Sequence, residues 1–230
     1  MLIGLGCQKQ VGKDTVAKIL QDKYDFHVTS FATPLKNLTL LLERKYKGML
    51  TEVEYQHQLS AWACSNGMDR NSNVFKILYR WNLDEKLFEE VENGKLRKLL
   101  QWLGTDLIRN QYNGDFWIKA FASTILNKHP RNIWTIVTDV RFLNEKKFIE
   151  KFGAAVYVTR PNQLGRVEDI HESETSLLNE TWEYTIVNDS GFKELDLQCE
   201  DLMSVLLQSL EHDVRPALKD MLEVSVLLRG

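Results

Sequence analysis

Nine residues near the start, Cys7-Gln8-Lys9-Gln10-Val11-Gly12-Lys13-Asp14-Thr15, constrain this chain more than any other stretch. The apolar residues Leu2, Ile3 and Leu5 lead into them, and Val16, Ala17, Ile19 and Leu20 follow at helical spacing. A short strand, a glycine-bearing turn, a lysine and a helix, in that order, make a phosphate cradle. Backbone N–H groups and a helix N-terminus then face one anion. Lys13 would bring a mobile cation to the β- and γ-phosphates. The pattern predicts a P-loop for a nucleoside triphosphate.

Two departures from the usual G-x-x-x-x-G-K-[ST] spacing shape the expectation. Cys7 stands where the first glycine belongs, and Gly6 lies one residue early. Cysteine lacks the freedom of glycine at positive φ, so a one-residue shift would give Gly6 the first turn of the ATP cradle. The residue after Lys13, normally a hydroxyl that ligates Mg²⁺, is Asp14, and Thr15 follows. An isolated Gly-Lys-Asp reads equally well as a surface turn opening an amphipathic helix. Its place at the first strand–helix junction favours the phosphate reading.

At 230 residues the chain accommodates one α/β domain with an insertion, and its 43% hydrophobic content supports a substantial core. A formal net charge of −3 gives no footprint for bulk nucleic acid or an anionic membrane surface. Cys7, Cys64 and Cys199 are odd in number, scattered and free of any C-x-x-C pair, which predicts reduced thiols and a cytoplasmic setting. No signal-peptide pattern and no apolar run of transmembrane length is read.

Residues 26–31 read as a second strand, and Pro34 suits the first position of a helix with Leu35, Leu38, Leu41 and Leu42 as its buried stripe. From 51 to 112 the pattern is mostly helical. Leu96, Leu99, Leu100, Leu103 and Leu107 mark one strong amphipathic helix, and Asp115 can cap the next. Strand signal returns at 133–138 and runs into Asp139-Val140-Arg141. A helix over 142–152 stops at Gly153, another strand covers 155–159, and 160–181 is polar and aperiodic. Tyr184–Val187 is a strand closed by Asn188-Asp189, and the remainder is helical. Strands alternating with helices predict an α/β fold of the P-loop kinase type, its mostly parallel sheet covered on both faces. The expected layout is a single domain with core about 1–45, 93–160 and 182–212, a helical insertion about 46–92 and a lid about 160–181.

Ligands in such folds gather beyond the carboxyl ends of the strands, where the cradle, Asp139, Arg141, Arg160, Asn188 and Asp189 would lie. Moving a γ-phosphoryl group requires an anchored donor, Mg²⁺, a positioned acceptor and cations around the spreading charge. Thr15, or Asp14 directly or through water, would hold the metal, and Asp139 stands where a Walker B-type carboxylate sits. Arg141 would fork two donors onto an acceptor phosphate; the plainer alternative is a strand-end cap beside a solvated arginine. Arg97 and Lys98 read as the wet face of their helix or as phosphate ligands. Arg160 and Arg166 open either a surface loop or a lid over the phosphates. The five histidines show no metal-ligand spacing.

These residues resemble a known family, the bacteriophage deoxynucleoside monophosphate kinases of the P-loop nucleotide-kinase group. The resemblance rests on Gly12-Lys13-Asp14-Thr15, Phe31-Ala32-x-Pro34-Leu35-Lys36 and Leu99-x-x-x-Leu103-Gly104-Thr105-Asp106-Leu107. It continues through Asp139-x-Arg141-x-x-x-Glu145, Arg160-Pro161, His171-x-x-Glu174 and Asn188-Asp189, in order over roughly 1–195. It implies ATP-dependent phosphorylation of deoxynucleoside monophosphates to diphosphates as DNA precursors, with Mg²⁺, usually as a dimer in the host cytoplasm. It further implies that Lys36, Arg97, Lys98, Trp117, Asp139 and Arg141 surround the acceptor. Arg160 and Arg166 would belong to the lid, and Asn188 and Asp189 would flank the donor base. Other small-molecule P-loop kinases, of phosphomevalonate or dephospho-coenzyme A type, and a non-catalytic nucleotide-binding module are the competing readings.

Overall fold

The computed structural model describes residues 1–7, 11–81, 86, 88, 96–128, 134–161, 176, 177 and 179–212. The chain divides into two compact units, Met1–Ser30 with Leu126–Gly230, and Phe31–Ile125. The second is wider at both ends than the insertion expected at 46–92.

The first unit holds the sheet. Among the described residues its strands are β1 (Leu2–Cys7), β2 (His27–Thr29), β3 (Thr135–Val140), β4 (Gly153–Thr159) and β5 (Tyr184–Val187). They stand in the order β2-β3-β1-β4-β5, and every pairing is parallel. The predicted α/β architecture is therefore the one adopted. Helices α1 (Lys13–Tyr24), α7 (Leu143–Phe152) and α8 (Phe192–His212) belong to this unit.

Strand alternation sorts β1 into two faces. Ile3 and Leu5 join Val16, Ile19 and Leu20 of α1 and Leu195, Leu202 and Met203 of α8 in one buried cluster. Cys199 lies in that cluster, and burial pushes its thiol up to about 12, so it serves as a small apolar side chain. Lys23 ties α1 to α8 through Asp196 at 2.6 Å and Glu200 at 2.7 Å, and hydrogen bonds to these carboxylates hold its ammonium well above the usual lysine range. On the other face of β1 the glycines admit bulky neighbours. A Cβ on Gly6 would lie 2.1 Å from the Trp182 ring, which itself packs on Tyr157 with centroids 5.3 Å apart.

The second unit is helical over the described residues: α2 (Thr33–Tyr46), α3 (Glu52–Ser65), α4 (Asn73–Tyr79), α5 (Leu96–Gln101), a π-helix (Trp102–Arg109) and most of α6 (Phe116–Lys128). The α2 stripe is buried as its periodicity predicts, and Pro34 falls within the first turn. Thr51 and Glu54 close a reciprocal capping box on α3. The amphipathic helix expected from Leu96 to Leu107 changes winding at Trp102. Leu99, Leu103 and Leu107 remain buried in the wider turns, so the apolar spacing alone does not separate the two windings.

Other expectations are corrected at their edges. The strand read at 26–31 shrinks to His27–Thr29, and the one read at 133–138 shifts to include Asp139 and Val140. Helix α7 stops before Gly153 as expected, and Gly153 is an extended residue with φ 178° that opens β4. What requires glycine there is approach: an added Cβ would fall 1.8 Å from the Leu2 carbonyl oxygen. No helix among the described residues is long and apolar enough to cross a membrane. Residues 213–230 lie outside the described residues.

Gly153→Ala should therefore force β4 away from β1. Overpacking of this kind costs about 1–3 kcal/mol, and in a chain of this size each kcal/mol moves the melting temperature by roughly 2–4 °C. A calorimetric scan should show a loss of about 3–10 °C. An unchanged melt would mean that β1 and β4 have room to part at that point.

Candidate active site

The cradle begins beyond β1 and resumes in the described residues at Val11, which is buried. Gly12 precedes α1 with φ 95° and ψ 17°, a left-handed conformation that costs residues with a Cβ. Its carbonyl accepts the N–H groups of Thr15 at 3.0 Å and Val16 at 3.1 Å, which starts the helix. Lys13 is the first helical residue, and its ammonium pairs with Asp14 at 2.5 Å. Asp14 and Thr15 are exposed. A left-handed turn against a helix N-terminus, carrying a lysine, is the local geometry that receives phosphate.

Gly6 is placed differently from the expectation. It lies inside β1, opposite Tyr157, and the room left by its missing side chain is taken by Trp182. Residues 8–10, between β1 and Val11, lie outside the described residues.

Asn188, just beyond β5, is 7% exposed and meets the cradle from behind. Its side-chain amide donates to the Val11 carbonyl at 2.8 Å, and its backbone N–H donates to the Thr159 carbonyl at 2.8 Å. The Arg160 Nε–H donates to the Asn188 carbonyl at 3.0 Å, while Arg160 as a whole remains exposed. Asp189 is exposed and accepts the Ser190 hydroxyl.

The end of β3 forms a second group of predicted residues. Along β1 and β3 the register passes from Gly4↔Val137 to Gly6↔Val140, so β3 carries one extra residue at Thr138–Asp139. Such a bulge re-aims a side chain, here that of the half-buried Asp139. Arg141 lies past the strand, so strand alternation does not place it on the same face as Asp139. Its backbone is held at both ends instead. The Glu145 carboxylate, itself 3% exposed, accepts the N–H groups of Arg141 at 2.9 Å and Phe142 at 3.1 Å, and the Ser176 hydroxyl donates to the Arg141 carbonyl. Arg141 is exposed. Sequence reasoning counted Glu145 only as part of a motif. The signal available was its place in the first turn of α7, where a buried carboxylate satisfies orphan N–H groups.

In the second unit Lys36 on α2 and Arg97 and Lys98 on α5 are exposed. Trp117 is not on an accessible surface: it is 5% exposed, and its indole N–H donates to the Gly104 carbonyl at 2.8 Å. That hydrogen bond fastens α6 to the π-helix. A groove of about 710 Å³ near α3 and α4, lined among others by Cys64, Arg70, Phe75 and Tyr79, contains none of the predicted site residues. Arg166, His171 and Glu174 lie outside the described residues. No group of three or more His, Cys, Asp or Glu side chains among the described residues is arranged to hold a metal ion.

A parallel sheet with a helix-opening phosphate cradle at the carboxyl end of its central strand defines an α/β nucleotide-binding protein of the P-loop kinase fold. The comparisons with known proteins agree. The sequence pattern of the deoxynucleotide monophosphate kinase family matches residues 38–199, and the chain belongs to that family. It is similar to the deoxynucleotide monophosphate kinase of Enterobacteria phage T4, at 27% identity over 89% of this chain and 99% of the relative. It is also similar to that of Escherichia phage RB69, at 25% over 88% and 99%. The deoxynucleoside-5'-monophosphate kinase of Escherichia phage T5 matches at 24% over 91% and 98%. Membership makes this chain a nucleoside monophosphate kinase with ATP as phosphoryl donor.

Proposed function

We propose that this chain transfers the γ-phosphoryl group of ATP to a deoxynucleoside monophosphate through the residues gathered at the carboxyl edge of its sheet. The observation that carries this reading is the left-handed Gly12 followed by Lys13 at the start of α1, in a chain of this kinase family. An acceptor phosphate oxygen bonds to the γ-phosphorus as the bond to the β–γ bridging oxygen breaks, which leaves ADP and a deoxynucleoside diphosphate. The acceptor is already an anion near neutral pH, so no general base is needed. Positioning and charge neutralisation carry the step.

Lys13 and the N-terminal amides of α1 hold the donor phosphates. Arg141 forks onto the acceptor phosphate, with its backbone fixed by Glu145 and Ser176, and Arg160 neutralises charge at the transferring group. Lys36 and Arg97 are assigned to the acceptor on the family resemblance, and Arg166 to the lid on the same ground. The oxygen donors of Thr15, Asp14 and Asp139 suit Mg²⁺, an ion that keeps several waters and needs only one or two protein ligands beside phosphate oxygens. Bound there, it would neutralise charge on the β- and γ-phosphates.

A coupled ADP-release assay across deoxy- and ribonucleoside monophosphates should show turnover with one or more deoxynucleotides. Lys13→Ala should reduce kcat about a hundredfold or more while leaving the thermal melt intact, because the lost contact meets charge that grows in the transition state. Near-normal turnover in this variant would remove the cradle assignment.

The two metal contacts separate by titration. Thr15→Ala should raise the Mg²⁺ concentration needed for half-maximal rate more than Asp14→Ala does. The reverse order would give the ion to the carboxylate.

Arg141→Lys keeps the charge and loses the planar fork. Acceptor KM should rise and kcat fall, with the KM for ATP nearly unchanged. A charge-assisted contact of this kind is worth about 1.5–3 kcal/mol. Steady-state kinetics that vary each substrate separately decide the point; unaltered acceptor kinetics would make Arg141 a surface residue and move attention to Arg97.

A further inference from the structure

Resting on that reading of the cradle, we infer that Asn188 is a positioning residue for the donor phosphates, acting through the P-loop backbone and not by touching the donor base. Four observations converge on it. Its buried amide donates to the Val11 carbonyl, the peptide unit immediately before Gly12. The same nitrogen lies 2.2 Å from where a Cβ on Gly12 would be, so Asn188 is packed directly against the left-handed residue that aims the amides of α1. Its own N–H is fixed to the Thr159 carbonyl at the end of β4. Its carbonyl receives the Arg160 Nε–H.

One residue thus connects the ends of β4 and β5 to the cradle and to an arginine at the same edge. An Asn amide has two N–H bonds and one carbonyl oxygen, and the nitrogen is already engaged with Val11. The contact also answers a local difficulty. Gly12 has no side chain and a wide conformational range, so the sequence of the loop alone does not hold it at φ 95°. A donor on the preceding carbonyl fixes the orientation of that peptide plane, and thereby the direction in which the Gly12 N–H points. Pre-oriented donors are what make such a cradle effective, because no free energy goes into reorienting them when phosphate arrives. Fixing Nε of Arg160 leaves the two terminal nitrogens of its guanidinium as the forked end available to a phosphate.

A ligand with phosphates and no base tests this. Binding of ATP and of inorganic tripolyphosphate to the full chain is measured by calorimetry, each with Mg²⁺, for the wild type and Asn188→Ala. The variant removes the amide and keeps both backbone contacts. Affinity for both ligands should fall by the same factor, about tenfold or more, because a buried carbonyl loses its partner where the cradle is set. In kinetics the KM for ATP should rise while the acceptor KM holds; a merely structural role would lower the active fraction and leave both KM values alone. Loss of ATP affinity with tripolyphosphate binding intact would give Asn188 to the donor base and overturn the inference. Unchanged affinity for both would overturn it as well. Should Asn188→Ala fail to fold, Asn188→Ser replaces it under the same criteria. If the wild type binds neither ligand, the cradle assignment itself fails, a result distinct from the other two.

Discussion

Parallel pairing of β1 on both of its edges is the constraint from which the rest follows. A strand with parallel neighbours on each side cannot return through a hairpin; the chain has to cross over, here through helices. β1 leads through α1 to β2 on the β3 side, and the connection after β3 crosses to β4 on the other side, so the winding reverses at β1 and a crevice opens at the carboxyl ends of the strands. Every group of the first unit assigned to chemistry arrives there by connectivity: Lys13 after β1, Asp139 and Arg141 at and after β3, Arg160 after β4, Asn188 after β5. The apolar clusters stabilise the sheet, and the sheet's direction decides where the charges go.

At that edge the protein fixes backbone before it fixes side chains. Gly12 is held through the carbonyl before it, and Arg141 is held through both its N–H and its carbonyl. Two of these contacts come from buried or nearly buried polar groups, Asn188 and Glu145, whose hydrogen-bonding capacity is directed at the main chain. A buried polar group without a partner is costly, so such residues adopt few alternative arrangements. The half-buried Lys13 and the exposed Arg141 and Arg160 each sit on or beside backbone held by hydrogen bonds.

What the sequence made legible was local. The α2 stripe and the strand Tyr184–Val187 are each encoded within a short window and are found where the pattern places them; of the cradle, the described Gly12 and Lys13 open α1 as the pattern predicts. What it left hidden depends on partners far along the chain. Gly6 was read as part of the cradle because the neighbouring motif wants a glycine, whereas its absent side chain makes room for Trp182. Gly153 does follow the end of α7, but what requires glycine there is the approach of Leu2. The contact of Asn188 with Val11 spans 177 positions. The bulge before Val140 and the widening of the helix at Trp102 leave the hydrophobic pattern intact, so periodicity is silent on both.

The acidic residue beside the cradle lysine remains to be reconciled with an anionic ligand. Asp14 pairs with Lys13 at 2.5 Å, yet its side chain is 83% exposed and stays largely hydrated. An ion pair of that kind contributes about 0–1 kcal/mol, and salt screens it. Bound triphosphate carries several charges onto the same ammonium and also meets the N-terminal amides of α1, an attraction Asp14 does not share in this pair. Exchange of one anion for the other at Lys13 therefore costs little. Once displaced, Asp14 remains within the first turn of α1. A carboxylate oxygen is the ligand type a hard divalent cation takes. The substitution that breaks the usual motif thus leaves the lysine able to exchange one anion for another, and it sets a carboxylate oxygen in the first turn of α1.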